Sequence, residues 1–460
     1  MAWRENSQKK VGTDFTRGPI TPMLVSFTVP FLLGYLLTSL YDTVDSIIVG
    51  RLIGSTGFVA VAVGGKTLNL FTHISMSFAT GGQVYVAQLE GAKQRDRLNR
   101  SIGTLFTEVL IASVLIGLFS FLNAEHIIDF LDTPPEARAQ ALSYLRITAA
   151  GLPFVFGYNA VSSVLRGMGD SKRPFIFVGI ATIFNIIGDL VFVMVFHMGV
   201  AGTALATIAA QFLSLAFSFA VLYRERERFG FDFRLRSFIP DPGVMKALVR
   251  ISLPLALKDF LVFGSQLVLV GWVNAFGVSE AAAYAVADRF FHLTVAVTIA
   301  FRQSSAAMMA QNIGAGEYGR VKGIMAACYR ICGIIVAVLC FFSLLFPEQI
   351  YGIFTQDPAV IACAAGYLRV CCLTYILSNI GGPLEGLVIA TGRSQLNLIT
   401  GILDSVVFRL GLGWICAYFF SLRGVGLFMG DCFARFAPII IYSVYYFSGR
   451  WMKNRKVIDP

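Results

Sequence analysis

The sequence predicts an all-α polytopic membrane protein with twelve transmembrane helices. Only 14% of its 460 residues are charged and 56% are hydrophobic, whereas soluble domains carry about 25% charged residues. Apolar stretches of about 20 residues, long enough to cross a bilayer, recur from end to end. Short motifs also recur between the two halves, which predicts an internal repeat.

Twelve spans account for the apolar stretches. Several exceed the minimum length of about 20 residues, so we expect them to tilt, bend or extend beyond the bilayer. The predicted spans are 22–49, 57–86, 101–122, 138–163, 174–197, 200–223, 247–275, 281–311, 323–346, 358–389, 395–420 and 424–447.

The repeat predicts two bundles of six helices. "AQLEGA" at 87–92 matches "AQNIGA" at 310–315, an offset of 223 residues that also joins Tyr144 to Tyr367. Six spans per half give both halves one orientation, so we expect a pseudo-two-fold axis along the membrane normal. The predicted segments are 1–21 (cytoplasmic), 22–223 (N-terminal lobe), 224–246 (cytoplasmic linker), 247–447 (C-terminal lobe) and 448–460 (cytoplasmic tail).

Loop charges predict the orientation. Lys and Arg concentrate in alternate loops, whereas the segment 123–136 carries Glu125, Asp129, Asp132 and Glu136. The positive-inside rule therefore places both termini in the cytoplasm, with the chain in the cell (inner) membrane. The net charge of +10 follows from these loops, and we expect no nucleic-acid partner. The N-terminus has no apolar core of a signal peptide.

No signature of an enzyme or a resident cofactor is present. The sequence has no Walker phosphate loop and no HExxH motif. "RGMGDS" at 166–171 is better interpreted as a tight junction between a helix and a cytoplasmic loop than as a phosphate loop. The eight cysteines have no spacing typical of a zinc site, and we expect neither disulfides nor zinc.

The strongest candidate site lies in span 5. Asn185 and Asp189 are four residues apart, so they share one helix face. A carboxylate in mid-membrane costs roughly 2.5–3.5 kcal/mol, so it should face a cavity or a partner. Asp45 and Thr207 are the expected company, and these oxygen donors suit H⁺ or Na⁺. The alternative is that Asp189 only pairs with a buried donor, and Asp42 competes with Asp45.

Pro30 interrupts the hydrogen bonding of span 1, as a static bend or as a moving hinge. His73 in span 2 is interpreted as a packing or interface residue.

The second half holds further intramembrane charges, either a structural network or a second polar site. Lys258 and its neighbour in the sequence neutralise each other locally or pair across helices. The candidate residues of that C-lobe site are Asp259, Asp288, Glu385, Asp404 and Arg409.

These residues resemble the MATE family of multidrug and toxic-compound extrusion transporters. The resemblance is carried by Pro30 with "YDTVDSIIVGRLIG" at 41–54, "VLRGMGDSKRP" at 164–174 and "AVADRFFHL" at 285–293. It implies two six-helix lobes and export of organic cations in exchange for H⁺ or Na⁺. In one branch of the family the coupling residues fall on Asp45, Asn185, Asp189 and Thr207, with the kinking proline at Pro30. A second branch has acids where this chain has Val262 and Ser378, which favours coupling in the N-terminal lobe.

Two other functions are weighed against this one. A flippase of lipid-linked oligosaccharides has a related architecture, but it predicts a strongly cationic cavity and spans beyond the twelfth. A non-transporting scaffold predicts no paired polar groups in mid-membrane. We expect a monomer that contacts small organic substrates and the lipid bilayer. The sequence leaves H⁺ and Na⁺ open as the coupling ion, and the same four residues are the metal ligands if the ion is Na⁺.

Overall fold

A computed structural model describes residues 12–453 and 456–459, except for the side chains of Asp42 and Leu293. Within these residues the chain is helical throughout, with no β-strand. The predicted all-α class is therefore confirmed. The helices group into two compact units, one containing Val29–Ala256 and the other containing Thr16–Thr28 and Leu257–Asp459.

The first unit contains most of the N-terminal half. Its helices begin with α1, which enters from the second unit. They are α1 (Ile20–Leu52), α2 (Ser55–Gly91), α3 (Leu98–Leu122), α4 (Ala124–Phe130), α5 (Pro135–Ala150), α6 (Leu152–Gly167), α7 (Lys172–Leu190), α8 (Gly199–Arg224) and α9 (Arg226–Phe229). A π-helical turn, Val191–Val195, extends α7, and a 3-10 turn, Leu235–Phe238, lies in the connection to the next helix.

The second unit contains the remaining helices, the first of which begins in the first unit. They are α10 (Pro242–Asn274), α11 (Val278–Ala315), α12 (Tyr318–Leu345), α13 (Pro347–Gly352), α14 (Pro358–Ala362), α15 (Ala364–Ala390), α16 (Ser394–Ile402), α17 (Arg423–Phe433), α18 (Phe436–Phe447) and α19 (Arg450–Lys453). Two π-helical stretches, Leu403–Leu412 and Ile415–Phe419, follow α16. Buried aliphatic residues form most of the core of this unit, and aromatic residues such as Tyr351, Tyr367 and Tyr375 pack among them.

Ten segments of the described chain are long and apolar enough to span a membrane, and eleven if the bent pair α5–α6 counts as one span. The predicted second span corresponds to α2, which has 37 residues and is not among them. Polar side chains along α2, among them Lys66, Asn69, His73, Gln83 and Gln88, explain the difference. These side chains lower the hydropathy of a helix whose C-terminal half packs within the unit.

The predicted span 138–163 is not one straight helix, and this is a correction. It breaks at Gly151, where α5 and α6 meet at an angle of 47°. Pro153 lies in the first turn of α6, where its missing N–H is tolerated. Gly151 packs so closely on α8 that a Cβ atom there would lie 2.3 Å from Ile208. The bend thus brings the α5–α6 junction against α8.

Candidate functional site

Four polar side chains meet inside the first unit, one from α1, two from α7 and one from α8. The Asn185 amide, oriented to satisfy both neighbours, donates from Nδ2 to Asp189 Oδ2 at 3.0 Å. Its oxygen accepts from the Thr207 hydroxyl at 3.3 Å and the Thr207 backbone N–H at 3.2 Å. The Asp45 carboxyl lies beside that of Asp189. The structure thus brings together the four residues that the sequence singled out.

The local sequence explains this convergence. Asn185 and Asp189 are one turn apart and face the same side of α7. Gly188, between them, lies so close to α8 that a Cβ atom would be 3.0 Å from the Ala206 Cβ. Because these residues are small, the backbones of α7 and α8 approach closely, and Thr207 comes within reach of Asn185.

The cluster is buried and incompletely satisfied. Asp189 is 0% exposed and Asp45 is 8% exposed. Within the described part of the chain, Oδ1 of each carboxyl is buried without a hydrogen-bond partner. Two ionised carboxylates side by side repel each other, so a proton held between them stabilises the pair. The arrangement therefore suits a bound H⁺, or a cation that replaces it.

The oxygen donors also fit a small hard cation. The two carboxyls, the Asn185 amide oxygen and the Thr207 hydroxyl are the ligand types that alkali and alkaline-earth ions take, rather than zinc or copper. Among the described residues no group of three or more His, Cys, Asp or Glu side chains is placed to hold a metal. The candidates at this cluster are H⁺ and Na⁺.

A cavity of about 340 Å³ lies beside the cluster in the same unit. Its wall is largely aromatic and apolar, with Pro30 and Phe31 at one point along α1 and Tyr41 further along the same helix. Asn185 and Thr207 contribute to its lining, whereas Asp45 and Asp189 do not. The Tyr41 hydroxyl lies 3.5 Å from the Thr207 hydroxyl. Asn185 and Thr207 therefore contact both the carboxyl pair and the cavity.

Two basic residues of the described cavity lining, His73 and Arg166, were not among the sequence candidates. His73 was interpreted as a packing or interface residue, but its exposed side chain lines the cavity. Arg166 was assigned to the junction with a cytoplasmic loop, yet it lies in the last turn of α6 and also lines the cavity. The position of Arg166 before Gly167, within an apolar stretch, was the feature of the sequence that could have indicated a place in the helix. Asp42 cannot be compared with Asp45, because its side chain lies outside the described residues.

In the second unit, Glu385 on α15 accepts hydrogen bonds from two other helices. Lys258 Nζ on α10 bonds to Oε1, and Arg302 on α11 bonds to Oε2 at 2.6 Å. Lys258 therefore pairs across helices. Asp259, the next residue, is partly buried.

Arg409 forms a second charge network. It is 0% exposed, and its guanidinium lies 2.8 Å from Asp404 Oδ1 and 2.9 Å from Asp431 Oδ1. Asp288 instead contacts His292, one turn further along α11, at 3.4 Å. The structure thus places Asp288, Asp404 and Arg409 around Asp431, whereas Glu385 pairs with Lys258 and Arg302.

A family model described as MatE matches the chain twice, over residues 30–191 and 254–415. The second match begins 224 residues after the first (254 − 30), which confirms the internal repeat. The first match includes Pro30, Asp45, Asn185 and Asp189.

Curated relatives match along most of their length. The probable multidrug resistance protein YpnP of Bacillus subtilis (strain 168) is 26% identical over 95% of this chain and 97% of its own. The multidrug export protein MepA of Staphylococcus saprophyticus is 23% identical over 93% of this chain and 94% of its own.

Solved structures show the same fold. An outward-facing multidrug resistance MATE family transporter superposes with a TM-score of 0.88 at 21% identity, covering 97% of this chain and 99% of its own. A MOP superfamily transporter from Pyrococcus furiosus gives the same TM-score, identity and coverage. At this identity the likeness speaks for the fold alone.

Proposed function

The chain belongs to the MatE family of membrane transporters, and from this premise we propose that it exports amphipathic organic compounds in exchange for H⁺ or Na⁺. It is a transporter and not an enzyme. The relatives YpnP and MepA are named for multidrug resistance and multidrug export, which supports organic compounds of varied structure, cations among them, as substrates.

One observation supports this proposal above the others. The cluster of four polar residues and the cavity have residues in common. Asn185 and Thr207 line the cavity and also contact the carboxyl pair. A cation that binds the carboxyls changes which hydrogen bonds Asn185 and Thr207 make, and hence the shape and polarity of the cavity wall. Substrate and cation thereby affect each other's affinity, which is the thermodynamic requirement for exchange.

Movement of α1 is the proposed link to alternating access. The contact between Tyr41 and Thr207 joins α1 to α8. Pro30 lies inside α1 and has no N–H for the carbonyl of Ser26, so the helix lacks one hydrogen bond there. A change of bonding at Thr207 then moves the Tyr41 end of α1 about Pro30. Cation binding thus reshapes the cavity and releases the substrate.

The experiment is efflux of the cationic methyl ester of rhodamine from proteoliposomes. A pH gradient and a Na⁺ gradient are imposed separately on wild type, Asp189→Asn and the control Asp129→Asn, whose exposed carboxyl pairs with Arg138 at 2.8 Å. We expect dye movement under one gradient, lost in Asp189→Asn and kept in the control. Dye movement that survives in Asp189→Asn contradicts this coupling site, and no movement under either gradient favours the flippase of lipid-linked oligosaccharides.

We also propose that the chain lies in the inner membrane. Export from the cell requires the inner membrane, and the loop charges favour cytoplasmic termini. One chain contains the cluster and its cavity within a single unit, which supports a monomer as the working form.

A further inference from the structure

A single guanidinium stands in the wall of the cavity. Arg166 lines it from the last turn of α6, and its Cζ lies 5.4 Å from the centre of the Phe31 ring. Within the described part of the chain the one hydrogen bond of the guanidinium is made by Nε, which donates to Gln83 Oε1 at 2.9 Å. No carboxylate of the described residues forms an ion pair with Arg166, so its two terminal nitrogens remain for a ligand.

The electrostatics of such a group favour an anionic partner. The C-terminal end of α6 offers Arg166 the negative end of a helix dipole, but this effect amounts to a fraction of a full charge. A cation within an apolar cavity is stabilised far more by a carboxylate. The planar fork of a guanidinium matches the two oxygens of a carboxylate, which gives the pair direction as well as strength. A substrate that is only cationic meets repulsion at this point.

The opposite end of the cavity has the opposite character. Phe31, next to Arg166, and Tyr41, next to Thr207, are ten residues apart on α1, which is about 15 Å along a helix. Behind Thr207 and Asn185 lie the two carboxyls of the cluster. The cavity therefore has a positive group at one end and acids beyond its other end, with aromatic side chains between them.

We propose that the cavity takes amphipathic zwitterions, in which a carboxylate pairs with Arg166 and an aromatic body carries the positive group toward Asn185 and Thr207. This assignment rests on the proposed export function and specifies its substrate class. The Phe31 ring under the guanidinium provides a flat surface beside the acid group. Gln83 holds the guanidinium by Nε and leaves the fork directed to the ligand.

Two rhodamines test the assignment, because the free-acid dye and its methyl ester differ at the benzoate alone, which is a carboxylate in one and a neutral methyl ester in the other. Their dissociation constants are measured by fluorescence anisotropy on the full chain in detergent, without any gradient. In Arg166→Gln we expect the free acid to bind about tenfold more weakly, the loss typical of a charge-assisted pair. We expect the ester to bind equally well or better. Arg166→Lys keeps part of the preference for the acid, and Arg138→Gln leaves both constants unchanged.

Three outcomes overturn the assignment. They are failure of the free acid to bind wild type, an unchanged constant for the acid in Arg166→Gln, and equal weakening of both dyes in Arg166→Gln. Melting temperatures of the variants check folding, and Arg166→Lys provides the test if Arg166→Gln does not fold. Because binding is measured without a gradient, dyes that bind as expected but are not exported contradict the export function and leave the ligand site standing.

Discussion

Replacement of Arg409 by Gln removes the guanidinium that two buried carboxylates share. Arg409 is 0% exposed and contacts Asp404 at 2.8 Å and Asp431 at 2.9 Å. Gln has no charge and cannot reach both partners, so Asp404 loses its buried cation and Asp431 keeps only the more distant charge of Arg435. Breaking a buried pair from one side costs about 3–5 kcal/mol, and we expect Arg409→Gln to lower the free energy of unfolding by about that amount.

Removal of one carboxylate should cost less. In Asp404→Asn the guanidinium keeps its partner Asp431, and the amide oxygen still accepts a hydrogen bond. The change is then that of one hydrogen bond to a charged group, about 1.5–3 kcal/mol. The difference between the two variants distinguishes a shared buried cation from two independent pairs.

The assay is unfolding of the full chain in mixed micelles by titration with sodium dodecyl sulfate, followed by tryptophan fluorescence. Arg138→Gln is the control, because its pair with Asp129 is exposed on both sides and should contribute nothing measurable. Arg409→Gln as stable as the control, or Asp404→Asn as destabilised as Arg409→Gln, would refute the reasoning.

Three further predictions concern a hinge, a close packing contact and a helix cap. Pro30→Ala restores a helix donor, so we expect slower efflux of the rhodamine ester without any loss of melting temperature; unchanged efflux contradicts a hinge. A Cβ on Gly103 would lie 1.8 Å from the Ser237 carbonyl oxygen, so Gly103→Val should displace the 3-10 turn Leu235–Phe238 and speed its proteolysis, and wild-type cleavage rates would argue against that contact. Asp241 accepts hydrogen bonds from the N–H groups of Gly243 and Val244 at 2.9 and 3.0 Å, and these bonds lower its pKa. Asp241→Ala should lower the free energy of unfolding by about 1 kcal/mol at neutral pH. Because the pKa of Asp241 is lower in the folded state, this difference in stability from wild type should vanish as the pH falls through the folded pKa.

Periodicity and hydropathy predicted what depends on the chain locally. The apolar stretches predicted most of the helices, and the spacing of Asn185 and Asp189 placed both on one face of α7. The expense of a carboxylate in an apolar helix pointed to a partner, and Asp45 with Thr207 lies there in the structure. The break at Gly151 was missed, because it depends on close packing against Ile208 in another helix.

The sequence did not predict which charged residues pair across separate helices. Glu385 is bound by Lys258 and Arg302, and no local pattern connects residues on three separate helices. Lys258 has an acidic neighbour in the sequence, which left local neutralisation open. Arg166 lies beside a glycine-rich loop, so its charge was assigned to the loops, although the helix continues to Gly167 and directs it into a cavity. Such assignments require the angle at which a helix presents each side chain to its neighbours.

In the proposed exchange, binding of substrate in the cavity weakens binding of the coupling cation at Asp45 and Asp189. The most direct measurement is the release of cation when the rhodamine ester is added to purified protein in detergent. Proton release is followed with a pH indicator in weakly buffered solution, and displacement of radioactive Na⁺ is measured in parallel. Wild type should release one kind of cation as the dye binds, and Asp45→Asn and Asp189→Asn should bind dye without that release. Release of the same amount from both variants would contradict the claim.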